Sequence, residues 1–418
     1  MSTEKTEVLV VGAGQAGLAI SDHLTKAGVP HLVLERNRIA ERWRSERWDS
    51  LVANGPSWHD RYPGLEFPGF GPDEFVPKES IADAFVDFAK NNHLPVRTGV
   101  EVKSVRKNDG GRGFKVETSE GHIAANFVVA ATGPFQKPAY SAIVPESAGI
   151  VQMHSTGYRN PSQLPEGAVL VVGGGSSGVQ IAEELLNAGR KVYLSVGPHD
   201  RPPRRYRGRD NVWWLGVLGL WDALTPPEGR EHVTIAVSGM DGGKTVDFRK
   251  LAERGMTLVG RTESFANGHI QFADDVKTNV EQGDANYLSV LQAADVYIAR
   301  NGLDLPEEKE AHVIGPDPDC LINPVLDLDL KQAGVNSIIW ATGFTTDFSW
   351  LPAGALDDNG KPAHLRGVSN EPGIYFLGLP WLSRRGSTFI WGVWHDAKFI
   401  ADQIVIQRGY MDYRPTER

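Results

Sequence analysis

One pattern occurs twice in this chain and constrains its fold more than any other feature. Val8-Leu9-Val10-Val11 runs into Gly12-Ala13-Gly14-Gln15-Ala16-Gly17 and then into the helical run Leu18-Ala19-Ile20. Ala168-Val169-Leu170-Val171-Val172 runs into Gly173-Gly174-Gly175-Ser176-Ser177-Gly178 and then into Val179–Leu186. Each copy is a buried strand, a G-x-G-x-x-G turn and a helix, the start of a dinucleotide-binding βαβ unit. In the first copy Gly12 permits the tight turn, Gly14 lets the backbone approach a pyrophosphate, and Gly17 lets helix and strand pack closely. Gln15 and Ala16 open the helix, where free N–H groups and the positive dipole end favour phosphate. His31-Leu32-Val33-Leu34 reads as the next parallel strand. It ends on Glu35, about 20 residues past the glycines, where the ribose-binding acid belongs, and Arg36 beside it is a further cofactor contact.

The second copy supplies Gly173, Gly175, Ser176, Ser177 and Gly178 as the equivalent contacts. Its following strand, Val192-Tyr193-Leu194-Ser195, ends without an acid, and Arg201, Arg204, Arg205, Arg207 and Arg209 follow closely. Arginines accommodate a 2′-phosphate that an acid would repel. Arg204 and Arg205 are therefore expected to select NADPH over NADH, although a basic run is also compatible with a solvated face. Two dinucleotide sites imply two dinucleotides, and the pair that does chemistry together is a flavin and a nicotinamide.

With 418 residues the chain exceeds one ordinary core, so two domains are expected. Hydrophobic content of 41% and charged content of 23% describe a soluble globular protein. No stretch reaches the roughly 20 apolar residues of a membrane span. The N-terminus shows no apolar signal region. A formal charge of −9 argues against nucleic acid as a partner. The one cysteine, Cys320, has no partner for an internal disulfide or a redox pair, which fits a reducing cytoplasm.

Between Glu35 and Lys78 periodicity fades while aromatics and turn residues accumulate, from Trp43 and Trp48 to Trp58 and Tyr62-Pro63-Gly64. Such a segment is expected to lie packed over a ligand, an ordinary loop with core tryptophans being the alternative. A helix is expected over Ser80–Lys90 and short strands at Val100–Val105, Phe114–Thr118 and His122–Ala125, with a turn at Gly110-Gly111. Phe127–Ala131 is a buried strand running into Thr132-Gly133. The stretch Asn211–Trp221 is apolar and tryptophan-rich, and reads equally as core, oligomer contact or substrate-facing surface. A strand at Met256–Val259, a hairpin over Ser264–Phe272 with an Asn-Gly turn, and a helix over Val276–Ala299 follow. Ser337–Gly343 echoes the Val129–Gly133 stretch. Gly373–Gly378 is a further strand, and Gly386-Ser387-Thr388 opens an amphipathic last helix through Ile404. Arg384-Arg385 before it reads either as a ligand-site pair or as surface charge. The expected fold class is α/β with two Rossmann-like domains, the second inserted into a split first. The expected ranges are 1–160 and 306–418 for the FAD domain and 161–305 for the NADPH domain.

The order of these features resembles the class B flavoprotein monooxygenases, and within them the flavin-containing and YUCCA-type branch. Four stretches carry the resemblance. Glu41-Arg42-Trp43-Arg44 is similar to the family's Gly-Gly-x-Trp segment, with Ala40-Glu41 in place of both glycines. Leu51–Pro56 places Asn54 where the family has an asparagine beside the reactive edge of the flavin. Trp340-Ala341-Thr342-Gly343-Phe344 is close to Phe-Ala-Thr-Gly-Tyr. His154 and Tyr158 keep the second half of the linker signature Phe-x-Gly-x-x-x-His-x-x-x-Phe/Tyr, while Ala148 and Ile150 replace its Phe and Gly.

The resemblance implies FAD and NADPH as cofactors, molecular oxygen as co-substrate and a small organic substrate. Trp43, Arg44, Thr132, Gly133, Thr342, Gly343, Gly378 and Thr388 would then join the cofactor contacts. It also implies hydride transfer from NADPH to flavin and formation of a flavin C4a-(hydro)peroxide. That species oxygenates a nitrogen or sulfur, or attacks a carbonyl. Asn54 is the candidate catalytic residue, supporting the peroxide or the flavin edge, although Asn-Gly-Pro is also a plain turn sequence. Two other classes are compatible with the motifs: a flavoprotein reductase serving a quinone or protein acceptor, and a non-catalytic dinucleotide sensor. Many aromatics suit a planar or apolar substrate, and a homo-oligomer is compatible with the sequence.

Overall fold

An unbroken apolar strand is stable only when both of its faces are covered, and each fingerprint strand lies inside a sheet. The structure is a computed structural model and describes residues 4–108, 111–224 and 234–414. Gly110 of the expected turn lies outside the described residues. The first sheet draws β1 (Glu4–Val11), β2 (His31–Glu35), β3 (Val96–Thr98), β4 (Val102–Lys107), β5 (Phe114–Thr118) and β6 (Gly121–Ala130) from the front of the chain. The second sheet is built from β7 (Val151–His154), β8 (Ala168–Val172), β9 (Val192–Ser195), β10 (Thr257–Val259) and β11 (Val335–Trp340). The chain then returns to the first sheet with β12 (His364–Leu365), β13 (Val368–Ser369) and β14 (Ile374–Phe376).

The first sheet runs β12-β13-β14-β6-β1-β2-β3, with the β4–β5 hairpin joined to β6. The second runs β10-β9-β8-β11-β7. In both, the fingerprint strand sits at the switch in strand order. β1 pairs in parallel with β2 on one side and β6 on the other, and β8 does the same with β9 and β11. Ligands of such sheets bind outside the carboxyl ends of the strands at that switch.

Seven helices matter here: α1 (Gln15–Lys26), α2 (Glu41–Ser45), α3 (Lys78–Asn91), α4 (Ser176–Asn187), α5 (Asn211–Val217), α6 (Val276–Asn301) and α7 (Ile390–Asp412). α7 packs on α1, where the His23 and Trp394 rings lie 4.1 Å apart. Alternate residues of β8 serve opposite faces, Val169 and Val171 one core cluster and Leu170 and Val172 another. The irregular segment after β2 spans both units. Its Ala53, Tyr62 and Leu65 join the first core, Trp48 and Leu51 join the second, and Trp43 touches both.

The second sheet is larger than the expected 161–305. β7 and β11 both belong to it, so its strands run from residue 151 to residue 340. The reason is pairing: Ile339 lies opposite Val171, and a buried strand such as β11 needs that neighbour. His122–Ala125 and Phe127–Ala131, expected as two strands, form the continuous β6. The last helix continues past Ile404 to Asp412. Among the described residues no helix is long and apolar enough to cross a membrane.

Candidate functional site

The two outer glycines of the first turn have no room for a side chain. A β-carbon on Gly12, whose φ is +106°, would lie 2.7 Å from the Ala131 carbonyl oxygen, and one on Gly17 would collide with the Gly12 carbonyl. Gly14 differs, for a β-carbon there meets nothing within 4 Å. This is an open cradle at the start of α1, bounded by backbone. The Glu35 carboxylate stands at its rim, accepting from the Ala13 and Asn37 N–H groups at 2.9 Å each. Arg36 is exposed beside it. Thr132 and Gly133 follow β6 on the other flank, both held by the Gln136 amide at 2.9 and 2.8 Å.

The late part of the chain closes the cradle. Gln15 Nε2 donates to the Thr388 carbonyl at 2.6 Å, and a β-carbon on Gly378 would lie 2.9 Å from Ala16 Cβ. The turn that carries Thr388 is pinned by Ser387, part of the expected Gly386-Ser387-Thr388 opening, and by Asp396, which no sequence motif marked. Ser387 Oγ accepts from the Ser383 and Arg384 N–H groups at 3.1 Å, and buried Asp396 accepts from Ser383 Oγ. The structure therefore gathers Gly12, Gly14, Gln15, Ala16, Gly17, Glu35, Thr132, Gly133, Gly378 and Thr388 at one place.

The second turn repeats the plan with one difference. Gly173 and Gly178 are again walled in, by the Ala341 carbonyl and the Gly173 carbonyl respectively. At Gly175, however, Thr234 Cγ2 lies 3.0 Å from where a β-carbon would be. The Ser176 N–H donates to the Ile235 carbonyl at 2.8 Å, and Ser176 Oγ donates to the same oxygen at 2.7 Å. Residues 234–237 thus fill the space that stays open at Gly14. Ser177 is half-buried in the first turn of α4. Thr342 and Gly343 serve the interdomain connection: Thr342 Oγ1 donates to the Ala139 carbonyl, and the Gly343 carbonyl accepts from His154 Nε2 at 2.9 Å.

Three of the expected cationic contacts need correction or narrowing. Arg204 is 2% exposed, forms a two-point ion pair with Asp210, donates to the Asn54 carbonyl and lies over Phe75. A guanidinium buried this way requires its carboxylate partner and does not reach for a phosphate. Arg201 and Arg207 are likewise paired, with Asp284 and Asp295. Of the expected pair only the Arg205 side chain is exposed. Arg44 reaches Glu79 and Asp83 of α3 at 3.0 and 2.7 Å, a tie between α2 and α3. The cation actually placed at the end of β9 is Arg261, whose Cγ would lie 3.5 Å from a β-carbon on Gly197. It pairs with Asp275 at 2.6 Å.

Asn54 is exposed and faces the second unit. Its Oδ1 accepts from Gln180 Nε2 of α4 at 3.0 Å, and its Nδ2 has no partner among the described residues. Gln180 is 1% exposed and donates from the same Nε2 to the Val237 carbonyl at 2.8 Å. Beyond Asn54 an aromatic group forms beside the start of α7. His59 stacks on Trp221 at 5.6 Å and meets Trp391 at 5.3 Å, and Trp221 meets Phe389 at 4.9 Å. The tryptophan-rich stretch divides accordingly: Trp213 and Trp214 pack against Tyr297 in a core cluster, while Trp221 faces α7. Arg385 is half-buried in the neighbouring turn and forms no ion pair among the described residues. Burial holds its pKa below the usual guanidinium range, partly offset by the Asp200 carboxylate.

Residues 9–207 match the family model described as pyridine nucleotide-disulphide oxidoreductase. A protein of Geobacillus kaustophilus described as an uncharacterized oxidoreductase, CzcO-like, is 36% identical over 405 residues, 96% of this chain and 98% of the relative. A protein of Arabidopsis thaliana described as probable indole-3-pyruvate monooxygenase YUCCA4 is 30% identical, over 96% of this chain and 90% of the relative. Among solved structures, a flavin-containing monooxygenase from Stenotrophomonas maltophilia superposes with a TM-score of 0.66 at 19% identity, covering 97% of this chain and all of that one.

Proposed function

This chain belongs to the class B flavoprotein monooxygenases, and on that premise we propose that it binds FAD at the first glycine turn and uses NADPH and molecular oxygen to oxygenate a small organic substrate. The observation that carries the reading is the open cradle at Gly14, with Glu35 at its rim and the Thr388 turn at its far side. When bound, FAD supplies hydride acceptance and oxygen activation, chemistry no side chain provides. The protein contributes orientation, exclusion of water and hydrogen bonds.

The α1 N-terminus and the Gly14 backbone would hold the pyrophosphate, and Glu35 the ribose. Arg261, exposed beside the end of β9 though paired with Asp275, would be one cation for a 2′-phosphate, and exposed Arg205 the other. Gln180 occupies Asn54 Oδ1, which leaves Nδ2 as the donor Asn54 offers to the cleft. That amide can stabilise negative charge developing on oxygen. Trp221, Trp391, Phe389 and His59 shield the region from water.

The substrate reading is a planar acid attacked at its carbonyl. Arg385, half-buried beside the aromatic group and with no ion pair among the described residues, suits a carboxylate, and the name of the Arabidopsis relative supports the same chemistry. Cys320, half-buried and with its thiol pKa raised by burial, has no partner cysteine, so a disulfide-reducing reading gains nothing from the structure. The test is the fate of NADPH electrons with a panel of aromatic 2-oxo acids and, separately, quinones. Oxygenated product in step with NADPH consumption supports the proposal, whereas turnover only with a quinone acceptor makes the protein a reductase.

A further inference from the structure

The two glycine turns are built on one plan, yet only the first is open. In the first, the Gln15 N–H has no partner among the described residues and the space outside Gly14 is empty to 4 Å. In the second, the equivalent Ser176 N–H is held by the Ile235 carbonyl, and Thr234 Cγ2 stands over Gly175. The same segment reaches the loop that follows the second strand. The Asp200 N–H donates to the Thr234 carbonyl and the Ala236 N–H returns a bond to the Asp200 carbonyl, both at 2.8 Å. Val237 completes the attachment, its N–H donating to Ser176 Oγ at 3.3 Å and its carbonyl accepting from Gln180. A pyrophosphate needs the helix start, and residues 234–237 engage it together with the loop that leaves the second strand.

We propose that Thr234–Val237 is an internal occupant of the second dinucleotide seat, a strap that NADPH must displace to bind. The proposal rests on the reading of that turn as the NADPH site. Competition favours the nucleotide for a physical reason. The Ile235 carbonyl is a neutral acceptor, whereas a pyrophosphate is a full anion. Charge-assisted hydrogen bonds are roughly twice as strong as neutral ones, and the α4 dipole adds to the anion's advantage. The strap is held by hydrogen bonds rather than by apolar packing. Only Ala236 among its four residues is fully buried, while the other three are half-buried. Its release therefore exposes little apolar surface, and the cost appears as weakened apparent nucleotide affinity. Gln180 couples the event to the cleft, because one Nε2 holds both the strap at Val237 and Asn54 Oδ1.

Hydrogen exchange on the FAD-loaded wild-type protein, with and without saturating NADP+, tests this directly. The strap model predicts slower exchange over residues 173–182 and faster exchange at the Asp200 and Ala236 amides, whose acceptors are lost. Slower exchange over 173–182 with unchanged or increased protection at Asp200 and Ala236 overturns the strap and keeps the seat. No change over 173–182 overturns the seat assignment and the strap with it. Thr234→Gly, which removes the methyl over Gly175 and loosens the segment, should tighten NADP+ binding about three- to fivefold, the scale on which glycine weakens an ordered backbone. FAD content should stay the same. Unchanged or weaker NADP+ binding by a folded Thr234→Gly protein contradicts the proposal.

Discussion

At Gly14 a single β-carbon separates a structural glycine from a functional one. Gly12 and Gly17 face backbone oxygens that cannot move, so any side chain there disrupts the turn itself. Gly14 faces open space, so Gly14→Val is expected to fold and yet lose flavin, because the side chain takes the place of the pyrophosphate. Circular dichroism and flavin absorbance on the purified variant separate the two effects, and a folded variant with full flavin content refutes the assignment. Asn54→Ala is expected to keep consuming NADPH but to release hydrogen peroxide in place of oxygenated product. Loss of one oriented donor to developing charge costs about 2.7–4 kcal/mol. A peroxide assay beside product analysis reads this, and wild-type coupling would make Asn54 a turn residue only. Arg204 belongs to stability. Arg204→Ala strands Asp210 and the Asn54 carbonyl, so it should cost about 3–5 kcal/mol in chemical denaturation. It should not selectively weaken NADPH relative to NADH.

Among the elements, those with strict local periodicity were legible in the sequence. β1 with α1, β8 with α4, the strands before Thr132 and Thr342, and the long α6 all stand where their patterns put them. The close packing at Gly12 and Gly17 was legible too, since the turn dictates it. What the sequence hid was pairing across distance. Arg201 and Arg207 read as a phosphate-binding run because their partners, Asp284 and Asp295, lie 83 and 88 residues further on. Arg261 escaped notice for the same reason, being brought to β9 by a neighbouring strand. The strap has no periodic signature, as its bonds run through backbone carbonyls to Ser176 and Gln180. The reach of the second sheet was hidden because β7 lies before its fingerprint and β11 far beyond it. Nothing local distinguishes β11 from a strand of the first sheet.

For the whole molecule, burial of several histidines sets a pH dependence. His23, His31, His154, His199, His364 and His395 all have pKa values lowered from 6.5, desolvation being the largest cause in each. The folded state therefore binds fewer protons than the unfolded state just below that pH. Their stabilising contribution is complete above about pH 7 and falls as the pH drops through the unfolded-state pKa of about 6.5. Denaturation midpoints in urea should fall between pH 7.5 and 5.5, and a flat or rising midpoint on acidification would contradict this. The larger claim is that two sheets, one open cradle and one cleft residue cooperate to place oxygen on an organic acid. A single turnover under isotopically labelled dioxygen tests it most directly. The FAD-loaded protein is first reduced anaerobically with NADPH, then given labelled oxygen and an aromatic 2-oxo acid. The account predicts one labelled oxygen atom in the organic product for each flavin reoxidised. Complete reoxidation with all of the label in hydrogen peroxide, across the panel of acids, would contradict it.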